Sequence, residues 1–184
     1  MLRHPDRLLA RIVAPGAEPL SLAETKLYLR VDQSTEDTLV SNLIAAARTI
    51  AEAYLNRSLI TQTWKLAFDH YAPRHTPLPC GPVQSVISVI SYDRLNNATV
   101  IDPGLYWLDA AQDALRFYMP VPRAHRVEIV YIAGYGADYT AVPEPLRQGM
   151  LTHIASLYEH RGDADMPMPA QAIALYAPFR EARL

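Results

Sequence analysis

The chain has 184 residues, half of them hydrophobic and a fifth charged, with a formal net charge of −2. That is enough for one domain with a proper core, and the near-neutral balance gives no general pull toward nucleic acid or anionic membrane. A single cysteine, Cys80, excludes an intrachain disulfide and fits a reducing cytoplasm.

The N-terminal stretch MLRHPDRLLARIV lacks the long apolar core and small-residue cleavage site of a secretion signal. Nowhere does the chain approach the roughly 18 consecutive apolar residues that span a bilayer. Ser21 and Glu24, in SLAE, form a capping-box pattern that opens a short helix running to about Val31. Leu22, Leu27 and Val31 are expected on its buried side. Asp32–Asp37 reads as a turn, with Ser34 or Thr35 as N-cap and Glu36 and Asp37 favourable to the following helix dipole. The helix from about Glu36 to Asn56 is expected to bury Leu39, Leu43, Ala47, Ile50, Tyr54 and Leu55, over a length of roughly 30 Å. Ala45, Ala46, Ala47, Ala51 and Ala53 permit close helix–helix approach.

After Arg57 the period changes from about 3.6 to 2. Ile60, Trp64, Leu66 and Phe68 alternate with polar positions, although Gln62 interrupts the buried face. A proline-rich crossing (Pro73, Pro77, Pro79, Pro82) leads to a strand at Val83–Asp93 and a polar turn at Asn96–Asn97. Shorter strands are predicted near Ala98–Ile101, Tyr106–Leu108 and Ala114–Met119. Val127, Ile129, Tyr131 and Ala133 then mark one face of a largely buried strand, completing a five- or six-strand region of hairpins. Gly134 and Gly136 make the turn that follows, and Pro143 and Pro145 start a helix whose apolar positions run from Leu146 to Tyr158. After a loop with Pro167 and Pro169, a short helix over Ala170–Ala177 is stopped by Pro178. The fold class is therefore α+β, and residues 1–184 form a single domain with a β-rich insertion over residues 59–133.

Chemical motifs are weak. His70, His75 and Cys80 have a regular spacing, but it matches no common zinc pattern and lacks an obvious fourth ligand. His153 and His160 are seven apart, not the i, i+4 pair of a zinc-binding HExxH helix, and read as surface or interface residues. Asp102, Asp109 and Asp113 sit in turns and strand ends, where side-chain hydrogen bonding to nearby backbone is the ordinary role of Asp. No nucleophile elbow, P-loop or dinucleotide fingerprint is present, so neither enzyme activity nor a cofactor or metal is expected. Tyr106, Trp107, Phe117, Tyr118, Tyr131, Tyr135 and Tyr139 cluster in the β region and its exit. A nucleic-acid-binding module using this aromatic face is the alternative function, since aromatic rings stack on bases. The nearby Arg94, Arg116, Arg123 and Arg126 are scattered, which favours core and subunit-interface packing instead.

Four segments, in order, carry a resemblance: LAETKLYLRVD (Leu22–Asp32), AEAYLNRSLITQTW (Ala51–Trp64), AGYG…VPEPLRQ (Ala133–Gln148) and LYAPFR (Leu175–Arg180). With them, the sequence resembles the head–tail connector, or adaptor, proteins of tailed bacteriophages and gene transfer agents, over essentially Pro19 to Leu184. The resemblance implies a small helical bundle, with two N-terminal and two C-terminal helices, and an inserted antiparallel β region. It also implies a virion structural protein at the portal vertex, made in the bacterial cytoplasm and assembled as a homo-oligomeric ring of about a dozen copies. Such a ring extends the DNA channel and joins the portal protein to the tail stopper or tail terminator protein. Double-stranded DNA passes through it without sequence-specific binding, and no membrane is involved. A near-neutral chain agrees with sliding, because many Lys/Arg–phosphate contacts would grip the duplex.

The resemblance further implies that the C-terminal segment, residues 175–184, reaches toward the portal. Its portal-binding residues are then Leu175, Tyr176, Pro178, Phe179, Arg180, Arg183 and Leu184. Tyr176 and Phe179 supply large apolar anchors, Arg180 and Arg183 charge-assisted bonds, and Pro178 limits the freedom lost on docking. The other reading of the two aromatics is that they finish the protein's own core. Residues before Leu20 match weakly, and their role is open.

Overall fold

The structure is a computed structural model that describes residues 3–4, 7–70, 72–121, 124–160 and 167–181. Its contacts divide the chain into a β unit, Met1–Pro15 with Thr61–Gly134, and a helical unit, Gly16–Ile60 with Tyr135–Leu184. The sequence period dictates this division, since helical spacing and strand alternation occupy separate stretches.

In the helical unit, α1 spans Leu22–Leu29 and α2 spans Asp37–Leu55, with a 3-10 turn at Ser34–Glu36 between them. The Glu24 backbone N–H donates to Ser21 Oγ at 3.1 Å, as a capping serine should. The box is not closed by Glu24, whose carboxylate pairs with Arg147 instead. Leu27 also departs from expectation and is 82% exposed. The inward face of α1 is Leu22, Thr25 and Leu29, an i, i+3, i+7 set, with Thr25 Oγ1 satisfied by Ser21 O at 2.9 Å. In α2 the buried stripe is Val40, Ile44, Ala47, Ala51 and Leu55, about one residue out of phase with the predicted one, and Ile50 points outward. The C-terminal helices α3 (Glu144–Glu159) and α4 (Ala170–Tyr176) complete the unit. Leu59, Ile60, Leu146, Met150, Ile154 and Tyr176 join the α2 stripe in one apolar core.

Arg48 is buried at the edge of this core. It forms a two-pronged contact with Glu18 (Nε–Oε2 2.7 Å, Nη2–Oε1 3.3 Å) and a further one with Glu52 (Nη1–Oε2 3.3 Å). Burial disfavours the guanidinium charge, but the bonds and Coulomb attraction to both carboxylates outweigh it, so the pKa is raised. Glu52 Oε1 also accepts from Leu59 N at 2.9 Å, so the cluster fixes the exit of α2.

The β unit contains two antiparallel sheets. The larger has the order β1-β2-β3-β9-β5-β6, built from Arg3–His4, Arg7–Val13, Gln62–Asp69, Arg126–Ala133, Val83–Tyr92 and Ala98–Val100. The smaller has the order β4-β8-β7, from His75–Pro77, Ala114–Phe117 and Tyr106–Asp109. Strand β9 buries Val127, Ile129, Tyr131 and Ala133 and leaves the intervening residues half-covered, as alternation predicts. Residues ahead of Leu20, whose role the sequence leaves open, supply β2, which pairs with β3 from Arg7↔Phe68 to Val13↔Thr63 around a bulge. Leu66, Val89, Leu115, Phe117, Ile129 and Tyr131 lie at the centre of the unit's core.

Candidate docking surfaces

The C-terminal segment is strapped across the end of α2. Arg57 Nε donates to Phe179 O at 2.8 Å, and Glu181 N donates to Leu55 O at 3.0 Å. The second bond satisfies a carbonyl that the helix end leaves without an intrahelical partner. Arg180 carries its guanidinium 4.8 Å from the centre of the Tyr54 ring, a cation–π distance. Pro178 and Arg180 are exposed, while Leu175 and Phe179 are half-buried. Tyr176 differs: it is fully buried in the helical core, its ring centre 6.1 Å from that of Tyr54. Of the two readings of this aromatic, the structure shows the core one: Tyr176 has no exposed face to serve as a surface anchor. The physical reason is that Gly149 of α3 leaves room for its ring. Burial also pushes the Tyr176 hydroxyl pKa up. Arg183 and Leu184 lie outside the described residues.

A second surface is an open groove of about 440 Å³ on the small sheet, lined by Arg74, His75, Trp107, Arg116, Phe117 and Tyr118. Strands β4, β8 and β7 bring these positions together, with His75↔Arg116 and Trp107↔Arg116 as register neighbours. Arg116 bonds Asp109 Oδ2 at 2.8 Å and Gln112 Oε1 at 2.7 Å, and lies 5.7 Å from the Trp107 ring centre. Arg74 Nη2 donates to Tyr118 O at 2.8 Å, and no carboxylate faces it among the described residues. Trp107 and Tyr118 are exposed. The aromatics proposed for base stacking do not form one face: Tyr131 is buried with its hydroxyl on Pro79 O at 2.6 Å. Tyr106 and Phe117 pack edge to face, their ring centres 5.9 Å apart.

The predicted Asp roles divide by position. Asp102 Oδ1 accepts from Gly104 N at 2.8 Å, a local turn bond, and Asp109 pairs with Arg116. Asp113 instead reaches across the unit, where its Oδ1 accepts from Val83 N at 2.6 Å. His153, expected at a surface or interface, is buried because it falls on the same face of α3 as Met150 and Ile154. Burial lowers its pKa. Among the described residues, no His/Cys/Asp/Glu group could hold a metal ion, and no helix is long and apolar enough to cross a membrane.

Comparison with known proteins agrees with this architecture. The phage gp6-like head-tail connector protein family matches residues 19–99. No curated protein matches the sequence. A chain in the virion of a native gene transfer agent (GTA) particle superposes with a TM-score of 0.82 at 27% identity, covering 96% of this chain and 97% of that one. A chain in the neck of an empty GTA particle computed with C6 symmetry gives a TM-score of 0.81 at 27% identity, again covering 96% and 97%. A chain in the neck of a native GTA particle computed with C12 symmetry gives 0.71 at 25% identity, with the same coverage of 96% and 97%. The α+β fold is thus shared with chains found in gene transfer agent particles. The head–tail connector family model matches the sequence over residues 19–99, and the fold is shared along nearly the whole length with a chain of a GTA virion.

Proposed function

We propose that the protein is a structural subunit of the neck of a tailed phage or GTA particle, where a ring of its copies joins the portal vertex to the tail. The observation that carries this is the fold match along 96% of the chain to a chain from a neck computed with C12 symmetry. The connector family match over residues 19–99 supports the same role. Both units act as one functional domain, with residues 59–133 as the inserted β part. The ring has about a dozen copies, closes by head-to-tail contacts between two different patches, and leaves an axial passage. Its mechanism is geometric: complementary surfaces seal the joint, and the net charge of −2 leaves DNA free to slide.

Docking to the portal falls to Pro178, Arg180 and the open sides of Leu175 and Phe179, with Arg183 and Leu184 continuing the segment. A tail stopper or terminator protein occupies the opposite face of the ring. Electron microscopy of the full chain mixed with the portal protein of the same particle tests the reading. A stacked ring with an axial hole is expected, whereas a bare portal beside folded monomer would overturn it.

A further inference from the structure

We infer that the arginine–aromatic groove of the small sheet is one half of the ring contact, and that it receives the end of α1 from a second copy of this chain. The inference rests on the ring reading above and names the surfaces that close the ring.

The β unit carries nine basic and seven acidic residues, for a net of +2, and the helical unit eight and twelve, for −4. A head-to-tail ring places unlike patches of successive copies against each other. Opposite net charges on the two units favour that pairing over contacts between like units.

In the groove, Asp109 compensates Arg116, but Arg74 bonds only backbone carbonyls and has no carboxylate partner among the described residues. Beside these cations, Trp107 and Tyr118 are 42% and 58% exposed, the composition of an interface hot spot. The complementary features meet at the end of α1. Leu27 and Tyr28 are exposed there, and Asp32, just beyond the left-handed cap at Arg30, is exposed with no ion-pair partner among the described residues. Although Leu22 and Leu29 face the core of their own unit, this short helix leaves Leu27 and Tyr28 as an apolar pair turned to solvent. Leu27 and Tyr28 fit against Trp107 and Tyr118, and Asp32 supplies the carboxylate that Arg74 lacks. DNA is a poorer occupant. With Arg116 neutralised, a single uncompensated arginine in the groove is too little to track a phosphate backbone.

The test uses the full chain. A photoreactive benzoylphenylalanine replaces Trp107, isotope-labelled and unlabelled copies are mixed at high concentration, and cross-linked peptides are identified by mass spectrometry. The expected product joins position 107 of one copy to the Leu27–Asp32 peptide of another. A cross-link to any other peptide, or none, overturns the inference. In parallel, Arg74→Glu and Asp32→Arg are each expected to weaken self-association about tenfold by sedimentation velocity, and the double variant to restore most of it. Single variants that associate like the wild type, a double variant that is not restored, or a wild-type chain monomeric throughout would each overturn it. Rings that assemble on the portal without this cross-link overturn the contact alone and leave the neck reading standing. A bare portal overturns the neck reading itself.

Discussion

Tyr176 occupies space that exists because residue 149 has no side chain: a Cβ placed on Gly149 would stand 2.5 Å from Tyr176 Cε1. Such an approach is not found for real Cβ atoms, and the obstacle is a buried ring rather than a flexible side-chain end. Gly149→Ala is therefore expected to force Tyr176 outward despite the higher helix propensity of alanine. Since Tyr176 leads directly into the strap at Phe179–Glu181, the C-terminal segment should loosen with it. We expect a loss of about 1–3 kcal/mol in stability and faster hydrogen exchange at the Glu181 amide. Unchanged stability and exchange would show that the ring and the strap are not coupled through this contact.

The hydroxyl of the same tyrosine gives a prediction of opposite sign. Tyr176 Oη is buried and finds no hydrogen-bond partner among the described residues. Removing it in Tyr176→Phe keeps the ring and deletes a desolvated polar group, so stability should be unchanged or rise by up to about 1 kcal/mol. Tyr176→Ala should cost about 3–5 kcal/mol, because it empties a packed site. Chemical denaturation of the two variants checks both magnitudes, and a costly Phe variant would mean that the hydroxyl is bonded after all.

Asp113 is predicted to anchor the β unit from its loop. Its Oδ1 accepts from Val83 N at 2.6 Å, its backbone carbonyl accepts from Leu78 N at 2.7 Å, and it is 8% exposed. A Cβ on Gly81 would meet its carboxylate at 2.2 Å. Asp113→Ala should cost about 1–3 kcal/mol by leaving the Val83 amide unsatisfied. Gly81→Ala should be destabilising by a different route, by displacing the carboxylate. The two losses should not add, since both break the same contact. Additive losses in the double variant would refute the shared mechanism.

The legibility of the fold follows how local each determinant is. Strand β9 is readable because Val127, Ile129, Tyr131 and Ala133 state their period within eight residues. The ends of α2 are readable too, but the phase of its stripe is not. Leu39–Leu43 and Val40–Ile44 are equally apolar sets, and only the packed core selects the second. Strand β2 is missed because RLLARIV is short and its partner β3 lies some fifty residues away, so no local pattern announces the pairing. A similar separation hides the groove, where Arg74, just before β4, meets Tyr118, just after β8, from 44 residues away. For the C-terminal segment, LYAPFR shows two aromatics but not that one of them has Gly149 as its socket. That determinant lies in another helix.

A pH dependence should appear through His153. It is 3% exposed, its Nδ1 is buried without a hydrogen-bond partner among the described residues, and burial lowers its pKa below the ordinary value of 6.5. In the unfolded chain the imidazole takes up a proton around that value, while the folded protein resists protonation until lower pH. The unfolded state thus binds more protons in this window, so stability rises with pH up to the unfolded pKa and is flat above it. As pH falls below about 6.5, this one group should remove stability with a slope of at most about 1.4 kcal/mol per pH unit. Replacing it by Gln, which cannot titrate, should lower that slope between pH 7.5 and 5.5 whatever it does to absolute stability. Urea denaturation of wild type and His153→Gln across this range measures the difference. Parallel pH profiles would place the acid sensitivity elsewhere in the chain.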